Sequence, residues 1–259
     1  MTVKDFYQQL APFYHLIYPE WEVSIQQQAR DLDKIIKEYW GNWVDTILDV
    51  ACGIGTQTLG LAQLGYRLAA SDLSAAEIGR ARQEAARRSL SITFSVADMG
   101  RAYEHHRQEF DLVIACDNAV PHLLTDEEIL GAFRQFHRCT RPGGGCLITV
   151  RDYDQEERTG VQVKPYGLRV EGKTRYLIFQ VWEFEGSIYD LAMYFVEDQG
   201  GSDCLTHVMR TKYYAVGTDR LIQLMANAGF HQVRRLDGAF FQPVIIGKKS
   251  GSGPVSQSA

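Results

Sequence analysis

Five short apolar runs, each separated from the next by a helix-forming stretch, leave this chain few architectures. Asp45–Ala51 (DTILDVA) runs straight into Cys52-Gly53-Ile54-Gly55. A helix follows through Leu64, and Gly65 ends it. Arg67–Asp72 reads as the second strand. Ser74 then opens a helix to about Arg88, with Glu77 three residues later completing a capping box. Ser91–Ala97 and Phe110–Asp117 are the third and fourth strands. A capping box at Thr125-Asp126-Glu127-Glu128 starts a helix to about Cys139. Arg141-Pro142-Gly143-Gly144-Gly145 reads as a turn before the fifth strand, Cys146–Arg151. Strands alternating with helices demand right-handed crossovers, so the expected fold is α/β: a doubly wound, mostly parallel, seven-stranded Rossmann-like sheet.

The pattern then changes. Val161–Glu171, Thr174–Glu185, Ser187–Glu197 and Leu205–Val216 are β-rich runs separated by Gly172-Lys173, Gly186 and Gln199-Gly200-Gly201-Ser202. Tyr176, Ile178, Gln180, Trp182 and Phe184 share one face of the second run. These are hairpins, hence an antiparallel insertion after the fifth strand. Open α/β sheets bind ligands at that end. A lid or substrate subdomain is one reading, a dimerisation element the other. Thr218 opens a further helix ended by Gly229, and Val233–Leu236 and Val244–Ile246 close the sheet. Expected organisation is therefore a helical, aromatic-rich segment (1–40) and a nucleotide-binding body (41–152 and 217–249). An antiparallel β subdomain (153–216) and a disordered Ser/Gly-rich tail (250–259) complete it.

Composition narrows the function. Over 259 residues, 27 Lys and Arg against 32 Asp and Glu give a net charge of −5, which disfavours a nucleic-acid partner. No apolar run reaches the roughly 18–20 residues of a membrane helix. Met1-Thr2-Val3-Lys4-Asp5 leads into no signal-peptide core, so a cytoplasmic protein is expected. The 5 cysteines have no CxxC spacing and read as reduced, buried thiols rather than a zinc site.

Gly53 and Gly55 lie between a strand and a helix, where backbone approaches a ligand closely and the helix terminus favours negative charge. Asp72 ends the next strand, about 20 residues on, where an acid meets ribose hydroxyls. The third glycine of the dinucleotide fingerprint is replaced by Thr58, which counts against NAD or FAD.

Leu48-Asp49-Val50-Ala51-Cys52-Gly53-Ile54-Gly55 resembles motif I of the class I S-adenosylmethionine-dependent methyltransferases. Ser71-Asp72-Leu73-Ser74, Ala97-Asp98-Met99 and Arg141-Pro142-Gly143-Gly144 continue the resemblance in order, covering about Asp45 to Arg151 and the closing helix and strands. The resemblance implies S-adenosylmethionine as cofactor, S-adenosylhomocysteine as product and no metal. It implies cofactor contacts from Asp49, Ala51, Gly53, Gly55, Asp72, Leu73, Asp98, Met99 and Asp117. Asp72 would accept the ribose hydroxyls and Asp98 the adenine amino group; Asp98 also reads as a turn cap, and Asp49 as a loop brace.

Downstream, Asn118 followed four residues later by His122-Leu123 is similar to the glycine and sarcosine N-methyltransferases. So are Arg151-Asp152-Tyr153-Asp154, with Asp152 where that group has Asn, and the pair Tyr213-Tyr214. This resemblance implies a catalytic set of Asn118, His122, Arg151 and Tyr214, acting on a small amine with a carboxylate such as glycine or sarcosine. An O-methyltransferase, a natural-product methyltransferase or a non-catalytic cofactor-binding protein are the alternatives. Two readings of Arg151 stand: a carboxylate clamp, or an ion pair with Asp152 or Asp154. His122 reads as a base or as a loop brace. Tyr213 and Tyr214 alternate across a strand, so one faces the core. Asp152 would put a negative charge beside the clamp. Tyr14 and Tyr18 read either as a lid or as aromatic packing. Monomer and homo-oligomer both remain open.

Overall fold

A computed structural model describes residues 2–251. Two helices open the chain, α1 (Val3–Leu10) and α2 (Trp21–Trp40), with a 3-10 turn at Tyr14–Ile17 between them. Thr2 and Asp5 cap α1 reciprocally. The alternating body follows: β1 (Thr46–Asp49), α3 (Thr56–Gln63), β2 (Arg67–Asp72), α4 (Ala75–Arg87), β3 (Thr93–Val96), α5 (Ala102–His106), β4 (Phe110–Ala115), α6 (Asp126–Cys139) and β5 (Thr140–Thr149). The four strands β6 (Val161–Glu171), β7 (Thr174–Glu185), β8 (Ile188–Asp198) and β9 (Leu205–Tyr214) come next, then α7 (Thr218–Asn227), β10 (His231–Leu236) and β11 (Val244–Lys248). From residue 252 on, the expected tail lies outside the described residues.

The main sheet has seven strands in the order 3-2-1-4-5-11-10. Strands β1 to β5 are parallel, and β11 runs antiparallel to both β5 and β10. Strand order reverses between β1 and β4, the switch point where such sheets open a crevice. The central strands are buried on both faces, as parallel strands must be. On one face Phe133, Phe136, Leu221 and Met225 pack against Val113 and Ile148. On the other, Leu32, Ile36 and Trp40 pack against Ile47, Ile114 and Leu147.

Arg141–Gly145, read from sequence as a turn, belongs to β5 itself. Its glycines answer to crowding. A Cβ at Gly145 would fall 2.4 Å from the Trp40 ring, and one at Gly144 would fall 2.3 Å from the Asp111 carbonyl. The α2 helix can lie flush on the sheet at Trp40 only because Gly145 has no side chain, while the bare Gly144 lets β4 approach.

Strands β6 to β9 form a second, antiparallel sheet. Its inner face carries Ile178, Trp182, Tyr189, Met193, Phe195 and Tyr213, and Phe6 and Leu10 of α1 dock there. The outer face exposes Val161, Val163, Leu168, Val170 and Leu177. The α1 helix also touches α4, so it bridges the insertion and the body of the main sheet.

Candidate active site

The loop after β1 is held from beneath. Asp49 is 1% exposed; its carboxylate accepts from Ala51 N at 3.2 Å and from the Thr58 hydroxyl at 2.6 Å. Thr58, in the third-glycine position, is thus the partner that fixes Asp49. Burial pushes the Asp49 carboxyl up to about 7. Asp49 braces the loop and forms no part of the cavity wall. Gly55 is also off the wall: at φ +96° it turns the chain into α3 against Leu59.

The cavity opens above this loop. Ala51, Gly53, Asp72, Leu73, Asp98, Met99 and Asp117, all marked in the sequence, stand on its wall. So do His122, Thr56 and Gln57. Asp72 is 8% exposed and accepts from Gly53 N at 3.0 Å and Ser74 N at 2.9 Å. Burial raises its carboxyl above the usual range. Asp98 accepts from Gly100 N at 2.8 Å, as a turn cap does, while still facing the cavity.

A second chamber adjoins the first, beneath the inner face of the small sheet. Asn118, Arg151, Tyr166, Gln180 and Tyr213 line it. Three residues belong to both chambers: Tyr7, Tyr14 and Asp117. They mark the junction. Asp117 and Asn118 are successive non-glycine residues at positive φ, +54° and +66°, a costly conformation that collects at functional sites. The turn is pinned by Asp117 N to the Thr149 hydroxyl at 2.7 Å and Asn118 N to the Thr149 carbonyl at 2.9 Å. Tyr18 donates to Asp117 at 2.8 Å.

Arg151 is not paired with a carboxylate among the described residues. Asp152 turns away to Arg235, and Asp154 to Arg158. The Arg151 guanidinium donates to the Tyr189 hydroxyl at 3.1 Å and lies over the Trp182 ring at 4.5 Å. The charge of Asp152, expected beside Arg151, is therefore spent on Arg235. Asn118 is occupied at both ends: its amide donates to the Tyr153 hydroxyl at 2.8 Å and its carbonyl accepts from Arg151 N at 3.0 Å. His122 Nε2 lies 2.7 Å from the Tyr7 hydroxyl, and its ring packs at a tilt against Tyr213, centroids 3.9 Å apart. Burial pushes the imidazole down to about 3, so it is neutral at ordinary pH.

Tyr214 stands apart. Strand alternation turns it outward, where its hydroxyl donates to Asp126 at 3.1 Å. Tyr213 takes the inward place, with its hydroxyl 3.3 Å from that of Tyr7. Tyr14 and Tyr18 both reach the cavity wall, their rings stacked at 6.4 Å. Sequence reading passed over Tyr7.

Residues 47–144 match the family model described as a methyltransferase domain. That stretch of the chain is similar to a methyltransferase domain. A putative methyltransferase, YqeM, of Bacillus subtilis is 29% identical to it over 120 residues, 44% of this chain and 48% of the relative. A glycine/sarcosine N-methyltransferase of Aphanothece halophytica is 24% identical over 52% of this chain and 49% of its own length. The chain spans about half the length of the curated relatives it matches. The amino pentose methyltransferase CalS10 of Micromonospora echinaspora superposes with a TM-score of 0.75 at 18% identity, over 88% of this chain and 92% of the other. The matched region ends inside β5, so Arg151 and the small sheet lie beyond it. Among the described residues no helix is long and apolar enough to cross a membrane, and no cluster of His, Cys, Asp and Glu has metal-binding geometry.

Proposed function

We propose that this protein binds S-adenosylmethionine in the first chamber and methylates the amine of a small, carboxylate-bearing acceptor in the second. The observation that carries the acceptor class is the half-buried Arg151 guanidinium at the chamber wall, with no carboxylate partner among the described residues. A buried cation is stable only when paired, and a planar fork suits a carboxylate best. Support for the cofactor comes from the wall itself. Asp72 and Asp98 offer acceptors for hydroxyl and amino donors. Gly53 leaves open the space that a Cβ would take, 3.1 Å from the Tyr14 ring.

The bound cofactor supplies an electrophilic methyl group on a sulfonium. A neutral amine needs no activation to attack it, only alignment and exclusion of water. Arg151 would hold the acceptor by its carboxylate. Tyr7, Tyr14 and Asp117, common to both chambers, would ring the point where amine and methyl meet. As the amine gains a methyl group it gains positive charge, and the Asp117 carboxylate lies where that charge develops. The neutral His122 holds the Tyr7 hydroxyl in place.

S-adenosylhomocysteine formation across an acceptor panel tests this. Glycine, sarcosine, dimethylglycine, larger amino acids, amino sugars and simple phenols would be compared. Turnover confined to amino acids is the expected result. Turnover on amino sugars or phenols alone removes the carboxylate role of Arg151 and leaves the cofactor site standing.

A further inference from the structure

Glu77 occupies the third position of α4, where its carboxylate is expected to fold back on Ser74. It does not. The Ser74 hydroxyl accepts from Glu77 N at 3.3 Å, but Ser74 N donates to Asp72 at 2.9 Å. The Glu77 side chain turns inward instead and is 0% exposed. Among the described residues neither of its oxygens has a hydrogen-bond partner. A Cβ placed on Gly53 would fall 3.1 Å from Glu77 Oε2 and 3.1 Å from the Tyr14 ring. The carboxyl therefore packs against Gly53 and close to Tyr14, two residues of the cavity wall, and stands directly behind that wall. Burial, with the Asp72 charge adding to it, holds this carboxyl well above the usual range.

A buried polar group without a partner is destabilising, and such a cost persists where the bound state uses the group. Asp72, next to it, already takes a backbone N–H on each oxygen. A vicinal diol brings two further donors to that corner. We infer that Glu77 is a second acceptor for the ribose hydroxyls of the nucleoside, working beside Asp72. The inference rests on the cofactor reading of the first chamber.

The full chain would be compared with Glu77→Met and Glu77→Gln. Readouts are thermal unfolding without ligand and calorimetric titration with S-adenosylhomocysteine and with 5′-methylthioadenosine, which keeps the ribose and lacks the amino-acid end. Glu77→Met should unfold roughly 4 °C higher, since the unpartnered carboxyl is gone. It should bind both nucleosides about tenfold more weakly. Glu77→Gln retains an acceptor oxygen and should recover most of that affinity. Unchanged affinity in Glu77→Met overturns the inference, and so does a lower unfolding temperature, which would make the carboxyl structural. A loss seen only with S-adenosylhomocysteine overturns it too, by assigning Glu77 to the amino-acid end. If the wild-type chain binds neither nucleoside, the cofactor reading falls, and this inference with it.

Discussion

The Tyr7 hydroxyl lies 2.7 Å from Nε2 of His122, tying the first helix of the chain to the turn after β4. The same hydroxyl lies 3.3 Å from that of Tyr213 on the small sheet. Three separate parts of the fold thus meet at one oxygen, on the boundary between the two chambers. Tyr7→Phe keeps the ring packing and deletes this point. Turnover should fall about tenfold, as for loss of one positioning hydrogen bond. S-adenosylhomocysteine affinity should stay within about twofold. A steady-state assay beside a calorimetric titration separates the two quantities.

His122 also carries a pH signature. Its folded value is depressed to about 3, so between pH 6.5 and 3 the unfolded chain takes up a proton that the native imidazole refuses. Stability from this group is complete above pH 6.5 and declines as pH falls. Relative to His122→Gln, the wild type should lose roughly 2 kcal/mol between pH 7 and pH 5. Urea titrations of both proteins at the two pH values give the difference, in which the buried carboxyls common to both cancel.

Arg151→Gln should raise the acceptor KM about 100-fold, the cost of removing a buried guanidinium–carboxylate contact. Cofactor affinity should be nearly untouched, because Arg151 lines only the second chamber. Loss of S-adenosylhomocysteine binding in this variant would show that Arg151 instead organises the loop after β5.

Asp72→Ala should have the opposite profile. It removes acceptors for Gly53 N and Ser74 N together with the nucleoside-facing carboxylate. S-adenosylhomocysteine affinity should drop about 100-fold, and equilibrium dialysis is sufficient to see it.

Neighbouring tyrosines should behave differently. Tyr213→Phe deletes a hydroxyl at the junction and should slow turnover about fivefold. Tyr214→Phe deletes only the bond to Asp126 on the outer side. It should leave kcat/KM unchanged and cost at most about 1 kcal/mol of stability.

What was legible in the sequence was local. A strand, a Gly53 loop and a helix are written in consecutive residues, and the resemblance carried by those motifs implies Ala51, Gly53, Asp72, Leu73, Asp98 and Met99, which share one wall. The same holds for the alternation that specifies the main sheet and for the hairpins of the small one. Illegible features depended on contacts distant in the chain. Which of Tyr213 and Tyr214 faces inward is decided by the register of β9 against β8. The partner of Asp152 is Arg235, 83 residues away, on β10. Glu77 looked like half of a capping box because that pattern is local, and Asp72 had already taken the Ser74 N–H. Tyr7 had no pattern of its own to betray it, since its role comes from docking α1 across two units.

That docking has a consequence for how the molecule comes into being. Phe6 and Leu10 of α1 are made long before β9, yet their seat includes Met209 and Tyr213 on that strand. On the ribosome α1 must wait through some 200 residues of synthesis, a long-range closure that comes late in folding. A nascent chain interrupted after β5 would already own the strand–loop–helix of the nucleoside pocket. It would lack the surface that brings Tyr7 to the junction. The junction between the two chambers closes only once the small sheet is in place.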